Sequence, residues 1–301
     1  MRCEQDRTIP GGPHIQIVPM ADFHVLPATA LAPAALHTAF TAAFADYLIG
    51  PFQLTLAQFP QFTARQGVDA ALCRVALQGE TVLAFAFVAP RADRPSWRLA
   101  TMGAVPAARG TGAAAALLDD FIARAREAGC AEVELECFAQ NERALRLYRG
   151  RGFAPVHALY GYSREPADKP ASAQVASGDA IPLDDAYAWL EEAGAAIGDL
   201  PLQVTPLSLR AQPAALQAWR SGSALAVAGE SAPGVLTLYC LVDRDARQAG
   251  AEQLVAYLLA RFPAHRIAVP QLQRDDLGGE ALLRLGFQRL PLHQWWMRKP
   301  L

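Results

Sequence analysis

No stretch of this chain has the roughly 18 uninterrupted apolar residues that a membrane helix needs, and its first twelve residues, MRCEQDRTIPGG, are charged and lack the apolar core of a secretory signal. Cysteine is scarce. The five thiols (Cys3, Cys73, Cys130, Cys137 and Cys240) are scattered, with no CxxC pair and no His/Cys grouping at metal-ligand spacing. These absences predict a cytoplasmic protein with free thiols, no metal and no membrane association. An excess of one charge is missing as well: 27 Lys and Arg stand against 29 Asp and Glu, for a net charge of −2. That leaves no polybasic field to attract nucleic acid or an anionic membrane.

What is present is apolar material, 52% of 301 residues, enough for sizeable cores and longer than a usual single domain. The clearest seam is REPADKPASAQVASGDAIP, residues 164–182, where Pro, Ala, Ser, Asp and Gly replace any periodic pattern. The expected organisation is a first domain over 1–165, a linker over 166–182 and a second domain over 183–301.

In the first half, residues 33–48 and 54–66 have helical spacing, with Leu36, Phe40 and Phe44 on one stripe. CRVALQGETVLAFAFVAP is expected as a hairpin turning at Gln78-Gly79-Glu80, and WRLATMGAV as a further strand. Residues 113–128 place Leu117, Phe121, Ile122 and Ala125 on one helical face, with Gly129 where a left-handed C-cap belongs. AEVELEC alternates Val133, Leu135 and Cys137 against Glu132, Glu134 and Glu136, which predicts a strand with a wet side. Residues 141–149 return to helical spacing, and RGFAPVHALYGYSRE closes the half as a glycine turn and strands.

Between strand and helix lies VPAARGTGAAAALL. A helix N-terminus leaves about four backbone N–H groups unpaired at the positive end of the helix dipole, so a glycine-lined turn there binds phosphate. Gly110 and Gly112 would bring a diphosphate onto bare backbone, Ala113 and Ala114 keep the first turn open, and Arg109 adds a positive charge. The same four residues could also do no more than turn the corner from strand to helix.

Arg109-x-x-Gly112-x-Ala114, with Pro106 three residues before the arginine, resembles the acyl-CoA diphosphate loop of the GNAT superfamily of N-acyltransferases. Asn141-x-x-Ala144-x-x-Leu147-Tyr148 followed by Gly152-Phe153 resembles the second part of that signature, one helix and one strand further on. The resemblance implies an α/β fold with a mixed sheet and acetyl-CoA as co-substrate. It implies direct transfer of an acetyl group to an amine, without a metal or a protein nucleophile. On this pattern Met102, Gly103 and Ala104 would pair with the pantetheine arm and polarise the thioester carbonyl, with Gly103 keeping the approach uncluttered. Arg109, Gly110, Thr111, Gly112, Ala113 and Ala114 would hold the diphosphate, and Asn141 and Ala144 would complete the cofactor site. Tyr148 would protonate the departing thiolate, its alternative being an ordinary core aromatic. Glu136 would be the general base, assisted by Glu132 and Glu134, or else part of a solvated strand face. Cys137 is expected as a packed thiol.

Gly110-x-Gly112-x-x-Ala115 also satisfies the dinucleotide fingerprint, with Glu134 and Glu136 about 20 residues on, which would make the chain an NAD-dependent oxidoreductase. In that fold the strand feeds straight into the first glycine, whereas here Pro106-Ala107-Ala108-Arg109 intervenes. A P-loop is excluded because no Gly-Lys-Ser/Thr follows the glycines.

The second half echoes the first. Arg247-x-x-Gly250-x-Glu252 matches Arg109-x-x-Gly112-x-Ala114, and Gly286-Phe287 matches Gly152-Phe153. Glu252 would repel a diphosphate, Leu282 stands for the tyrosine and Asp275 for the asparagine, so two tandem GNAT-like folds are expected, the second degenerate. Trp189, Trp219, Trp295 and Trp296 could line the face between them. The acceptor is expected to be an amine-bearing small molecule or peptide, bound by residues 34–66 and 154–163, on a monomer or homodimer. The alternative from another class is a non-catalytic acyl-CoA sensor or scaffold.

Overall fold

The computed structural model describes residues 22–166, 178–198 and 200–301. Cys3, the N-terminal segment and most of the expected linker lie outside the described residues. In the first half the order is β1 (His24–Pro27), α1 (Pro33–Ala43), α2 (Phe59–Arg65), β2 (Arg74–Gln78), β3 (Thr81–Pro90) and β4 (Ser96–Ala104). It continues with α3 (Ala113–Glu127), β5 (Glu132–Phe138), α4 (Glu142–Arg149) and β6 (Ala154–Arg164). The second half runs β7 (Asp179–Ile181), α5 (Leu183–Ile197), α6 (Pro206–Arg210), β8 (Gln217–Ser221), β9 (Ala224–Ala232) and β10 (Val235–Asp243). It ends with α7 (Ala249–Arg261), β11 (Arg266–Gln273), α8 (Gly279–Arg284) and β12 (Gln288–Pro300).

Local chemistry explains most boundaries. Gly79, at a φ of 57°, turns β2 into β3 with Gln78 paired to Thr81. Gly129, at 78°, ends α3 where its pattern stops. The two early helices are shorter than their apolar spacing predicts. α1 stops at Ala43, and before α2 the Thr55 N–H donates to Gln58 Oε1 while Gln58 N–H donates to Thr55 Oγ1. That reciprocal pair is a capping box, and it closes a turn where periodicity alone predicts continuous helix.

All strands join one mixed sheet in the order β1-β2-β3-β4-β5-β12-β6-β11-β10-β9-β8-β7. Read from the two edges inward, the halves repeat each other, and the repeat axis falls between β12 and β6. Each half has given its last strand to the other: β12 lies between β5 and β6, while β6 pairs with β11. The predicted boundaries at 165 and 183 therefore do not separate two closed units, and β7 recruits residues 179–181 of the expected linker into the sheet. The exchange is possible because β6 and β12 are long and apolar enough to pair on both edges.

One face of the first half carries α3 and α4 over Leu117, Phe121, Val133, Leu135 and Phe153; Met297, from β12, completes that core. The other face carries α1 and α2 over a phenylalanine cluster of Phe40, Phe44, Phe59, Phe62, Phe85 and Phe87. Trp219 and Trp189 sit in the cores of the second half, whereas Trp295 and Trp296 lie on the exchanged strand.

Candidate active site

β4 and β5 run parallel from Ser96–Glu132 to Leu99–Leu135, and their pairing ends there. At the same level the register of β4 against β3 slips between Leu99 and Thr101, a bulge that turns the strand away from β5. Beyond it, Met102, Gly103 and Ala104 remain paired to β3, while their β5-side edge is open. The two strands part over a cavity of about 530 Å³, walled by the end of α1, the open part of β4, the loop into α3, and α4.

The loop into α3 has the properties a diphosphate needs. Residues 106–108 form a 3-10 turn, which sets the strand apart from the glycines and removes the geometry of a dinucleotide fold. Gly110 and Gly112 take φ values of 89° and 92°, a region that side-chain-bearing residues rarely enter, and a Cβ on either would meet open space. Among the described residues the N–H groups of Gly110, Gly112, Ala114 and Ala115 find no acceptor, at the positive end of a 15-residue helix. Oxygen-rich anions fit this cradle.

Of the residues singled out in the sequence, Met102, Gly103, Ala104, Arg109, Gly110, Gly112, Ala114, Asn141, Ala144 and Tyr148 all line this one cavity. Thr111 and Ala113 do not. The Thr111 hydroxyl donates to the Ala108 carbonyl at 2.8 Å, and the Ala113 methyl is in the core under α3. Asn141 caps α4, its Oδ1 accepting from the Ala144 N–H at 3.2 Å. Gly103 has a different reason from the one expected: a Cβ there would lie 2.8 Å from Phe85 and 2.9 Å from Ala43, so the missing side chain lets α1 pack on the sheet.

Tyr148 is 7% exposed, and among the described residues its hydroxyl has no hydrogen-bond partner. Burial, with Cys137 and Tyr47 nearby, pushes its pKa well above the ordinary phenol value, so it holds its proton. Cys137 is buried, and the same desolvation raises its thiol to about 12, which suits packing and not nucleophilic attack.

The glutamates of β5 are not a wet face. Glu134 is fully buried, bonded to Arg91 at 2.9 Å and Arg94 at 2.5 Å. Glu136, at the point where the strands part, accepts from Arg98 at 2.6 Å, and Arg98 reaches on to Gln66. Glu136 does not line the cavity. The expectation of a wet strand face is corrected: alternation reports which face a carboxylate is on, but on that face Arg91, Arg94 and Arg98 cover Glu134 and Glu136, with Glu136 Oε1 left unpartnered. Residues 154–163 contribute no lining residue either, because β12 stands between β6 and the cleft.

Of the segment 34–66 expected at the acceptor pocket, Ala43, Phe44, Asp46, Tyr47 and Leu48 line the cavity, as does Leu147 of the second motif; Arg143 was not singled out. Tyr47 lies against Phe138 of β5 with ring centroids 5.9 Å apart, and burial raises its hydroxyl as well. Asp46 forms a two-pronged ion pair with Arg109, whose guanidinium holds the Asp46 carboxyl below the usual carboxylate range. No motif marked Asp46, Tyr47 or Leu48 individually; they follow the last apolar turn of α1.

Among the described residues of the second half, the corresponding helix N-terminus is filled by the chain's own side chains. The αL residue capping α7 is Gln248, at a φ of 56°, so it is Gln248 and not Gly250 that corresponds to Gly112. Its buried side chain donates to the Asp275 carbonyl at 2.7 Å and accepts from the Ala281 N–H at 3.0 Å. Asp243 takes the Ala251 N–H at 2.8 Å, filling the helix N-terminus with the chain's own carboxylate. Gln273 Nε2 bridges to the Leu241 carbonyl at 3.1 Å across the gap between β11 and β10. Glu252 lies further along α7 and pairs with Arg284, so it does not take the place expected for it at the diphosphate position.

Among the described residues no group of three or more His, Cys, Asp and Glu side chains could hold a metal, and no helix is long and apolar enough to cross a membrane. A search of curated protein sequences returns no match. Solved structures share the fold across both halves. A GCN5-related N-acetyltransferase from Kribbella flavida is 17% identical with a TM-score of 0.60, covering 94% of this chain and 72% of that one. One from Anabaena variabilis is 14% identical with a TM-score of 0.63, covering 93% and 73%. One from Sphaerobacter thermophilus is 17% identical with a TM-score of 0.60, covering 92% and 95%. Comparison with models of protein families matches residues 35–153, the span holding the parted strands, the glycine turn before α3 and Tyr148, to the Acetyltransferase (GNAT) family. Over those residues, the chain is similar to the acetyltransferase (GNAT) family.

Proposed function

We propose that the first half transfers an acetyl group from acetyl-CoA directly to the amine of a small molecule, and that the second half is a degenerate copy that completes the sheet without binding the co-substrate. The observation that carries this reading is that free helix N–H groups, an unpaired strand edge and a protonated buried tyrosine open into the same cavity.

Acetyl-CoA supplies an acyl carbon activated as a thioester. The N–H groups of Gly110, Gly112, Ala114 and Ala115, with Arg109 and Arg143, hold the diphosphate. The open edge of Met102–Ala104 pairs with the pantetheine arm and offers N–H groups to the carbonyl oxygen as charge develops on it. The neutral amine forms the C–N bond as the C–S bond breaks. Tyr148 gives its proton to the leaving sulfur and regains one from the nitrogen, which became positive on attack, so the net proton moves from amine to thiol.

Calorimetric titration with acetyl-CoA, followed by thiol release across an amine panel, tests the proposal. One site per chain, turnover with an amine, and loss of binding in Gly112→Glu are expected. Binding without turnover would favour an acyl-CoA sensor, and absence of binding would end the reading.

A further inference from the structure

Asp46 is the only carboxylate among the residues lining the cavity, where Arg109 and Arg143 are the bases. It sits in the turn after α1, and both its oxygens meet the two terminal nitrogens of Arg109, in the loop before α3. Arg109 also donates to the carbonyl of Ala43, the last residue of α1, at 3.3 Å. The pair therefore straps two walls of the cavity together across its mouth. Its members are not buried: the Asp46 side chain is 56% exposed.

Asp46 occupies the edge of Arg109 formed by its two terminal nitrogens, so a second anion must share that edge or take it over. A diphosphate seated on the N–H groups of residues 110–115 carries more charge than a carboxylate and competes for Arg109. Asp46 is then left in the cavity without its bonded partner, with Arg143 the remaining base nearby. Glu134 is held by Arg91 and Arg94, and Glu136, paired to Arg98 through one oxygen, does not line the cavity.

We propose that Asp46 is the acceptor-docking residue, unmasked when the co-substrate takes Arg109, and that it receives a cationic nitrogen distinct from the one that is acetylated. The second clause follows from nucleophilicity. An ammonium held by a carboxylate keeps its proton and has no lone pair, so the attacking nitrogen must be another one, neutral and further in towards Tyr148. The acceptor class is therefore dibasic: a diamine, or a molecule with an amine and a second basic group. This rests on the reading that the cavity takes acetyl-CoA. It adds that the co-substrate binds first and that the acceptor spans the cavity from Asp46 to Tyr148.

The test has two arms on the full chain. First, acetyl-CoA is titrated into the native protein and Asp46→Asn at low salt. Removing an exposed competing ion pair should tighten binding roughly two- to fivefold, and the gap should shrink in 0.5 M salt, where the Debye length falls to about 4 Å. Second, kcat/KM is compared for 1,5-diaminopentane and n-pentylamine. The native protein should favour the diamine by about tenfold, the worth of one partly desolvated ion pair. Asp46→Asn should lose that preference through KM, and Asp46→Glu should restore part of it.

Unchanged or weaker acetyl-CoA binding in Asp46→Asn would overturn the unmasking. Equal use of the two amines, or a preference that survives Asp46→Asn, would overturn the docking role, as would turnover of neither amine by a native protein that binds acetyl-CoA. If the native protein does not bind acetyl-CoA, no better than Gly112→Glu, the underlying reading has failed, and that outcome is distinct from the others.

Discussion

Met297 belongs to the C-terminal strand, yet its side chain fills the core under α3 and α4 in the first half. It is fully buried, paired in register with Leu135 of β5 on one side and Pro155 of β6 on the other. Truncating a buried methionine to alanine removes its transfer energy and leaves a cavity, at a cost of about 2–5 kcal/mol. For a chain of 301 residues the entropy of unfolding near its midpoint is about 0.6 kcal/mol/K, so a loss of 3 kcal/mol lowers Tm by about 5 °C. Because the exchanged strands make the halves one sheet, the loss should appear in a single transition. Leu258→Ala, in the core beneath α7, should shift that same transition. Unfolding in guanidinium chloride, followed by far-UV circular dichroism and by tryptophan fluorescence with and without acetyl-CoA, reads all of this. Two separate transitions, with Met297→Ala moving only the one that acetyl-CoA does not protect, would refute the claim that β12 completes the first half.

Three other outcomes follow from the site. Tyr148→Phe should lower kcat by about 10²–10⁴-fold while the acetyl-CoA Kd stays within about twofold, since in the proposed mechanism the hydroxyl acts on the leaving sulfur; stopped-flow thiol release and calorimetry check the two numbers, and undiminished turnover would remove Tyr148 from the acid role. Glu136→Gln should leave kcat/KM within about fivefold while costing about 3 kcal/mol of stability, because Arg98 loses a buried partner. A hundredfold drop in turnover in the still-folded variant would return Glu136 to the chemistry. Alkaline pH should destabilise the fold: burial raises Cys73 to about 11 and Cys137 and Cys240 to about 12 from 9.0. Between pH 9 and those values the unfolded chain binds fewer protons than the folded one, so stability is full below pH 9 and falls by up to about 1.4 kcal/mol per thiol per pH unit above it. Urea midpoints under reducing conditions at pH 8, 9.5 and 10.5 measure this, and a flat profile would contradict it.

Much of the site was legible because it is built from contiguous chemistry. The glycines at positive φ, the helix they open, and Tyr148 one helical face beyond the Asn141 cap are all set within short segments, where spacing maps directly onto geometry. The glutamates of β5 show where such reading stops. Their alternation is visible, but whether the second face meets water depends on α2, which supplies Gln66 to Arg98, and on β12, which lies against β5. Asp46 fell within the segment expected at the acceptor pocket, but nothing local singles it out, and its partner Arg109 is 63 residues away.

The chain alone determined its local elements, the glycine turn before α3 and the existence of an internal repeat, since each rests on residues a few positions apart and on backbone preferences they carry themselves. Only the tertiary structure decided that the halves exchange their final strands, which carboxylates are neutralised, and that the second helix N-terminus is occupied by Asp243. These are outcomes of long-range packing, where a strand takes whichever neighbour buries more of its surface and a charge keeps whichever partner the fold brings to it.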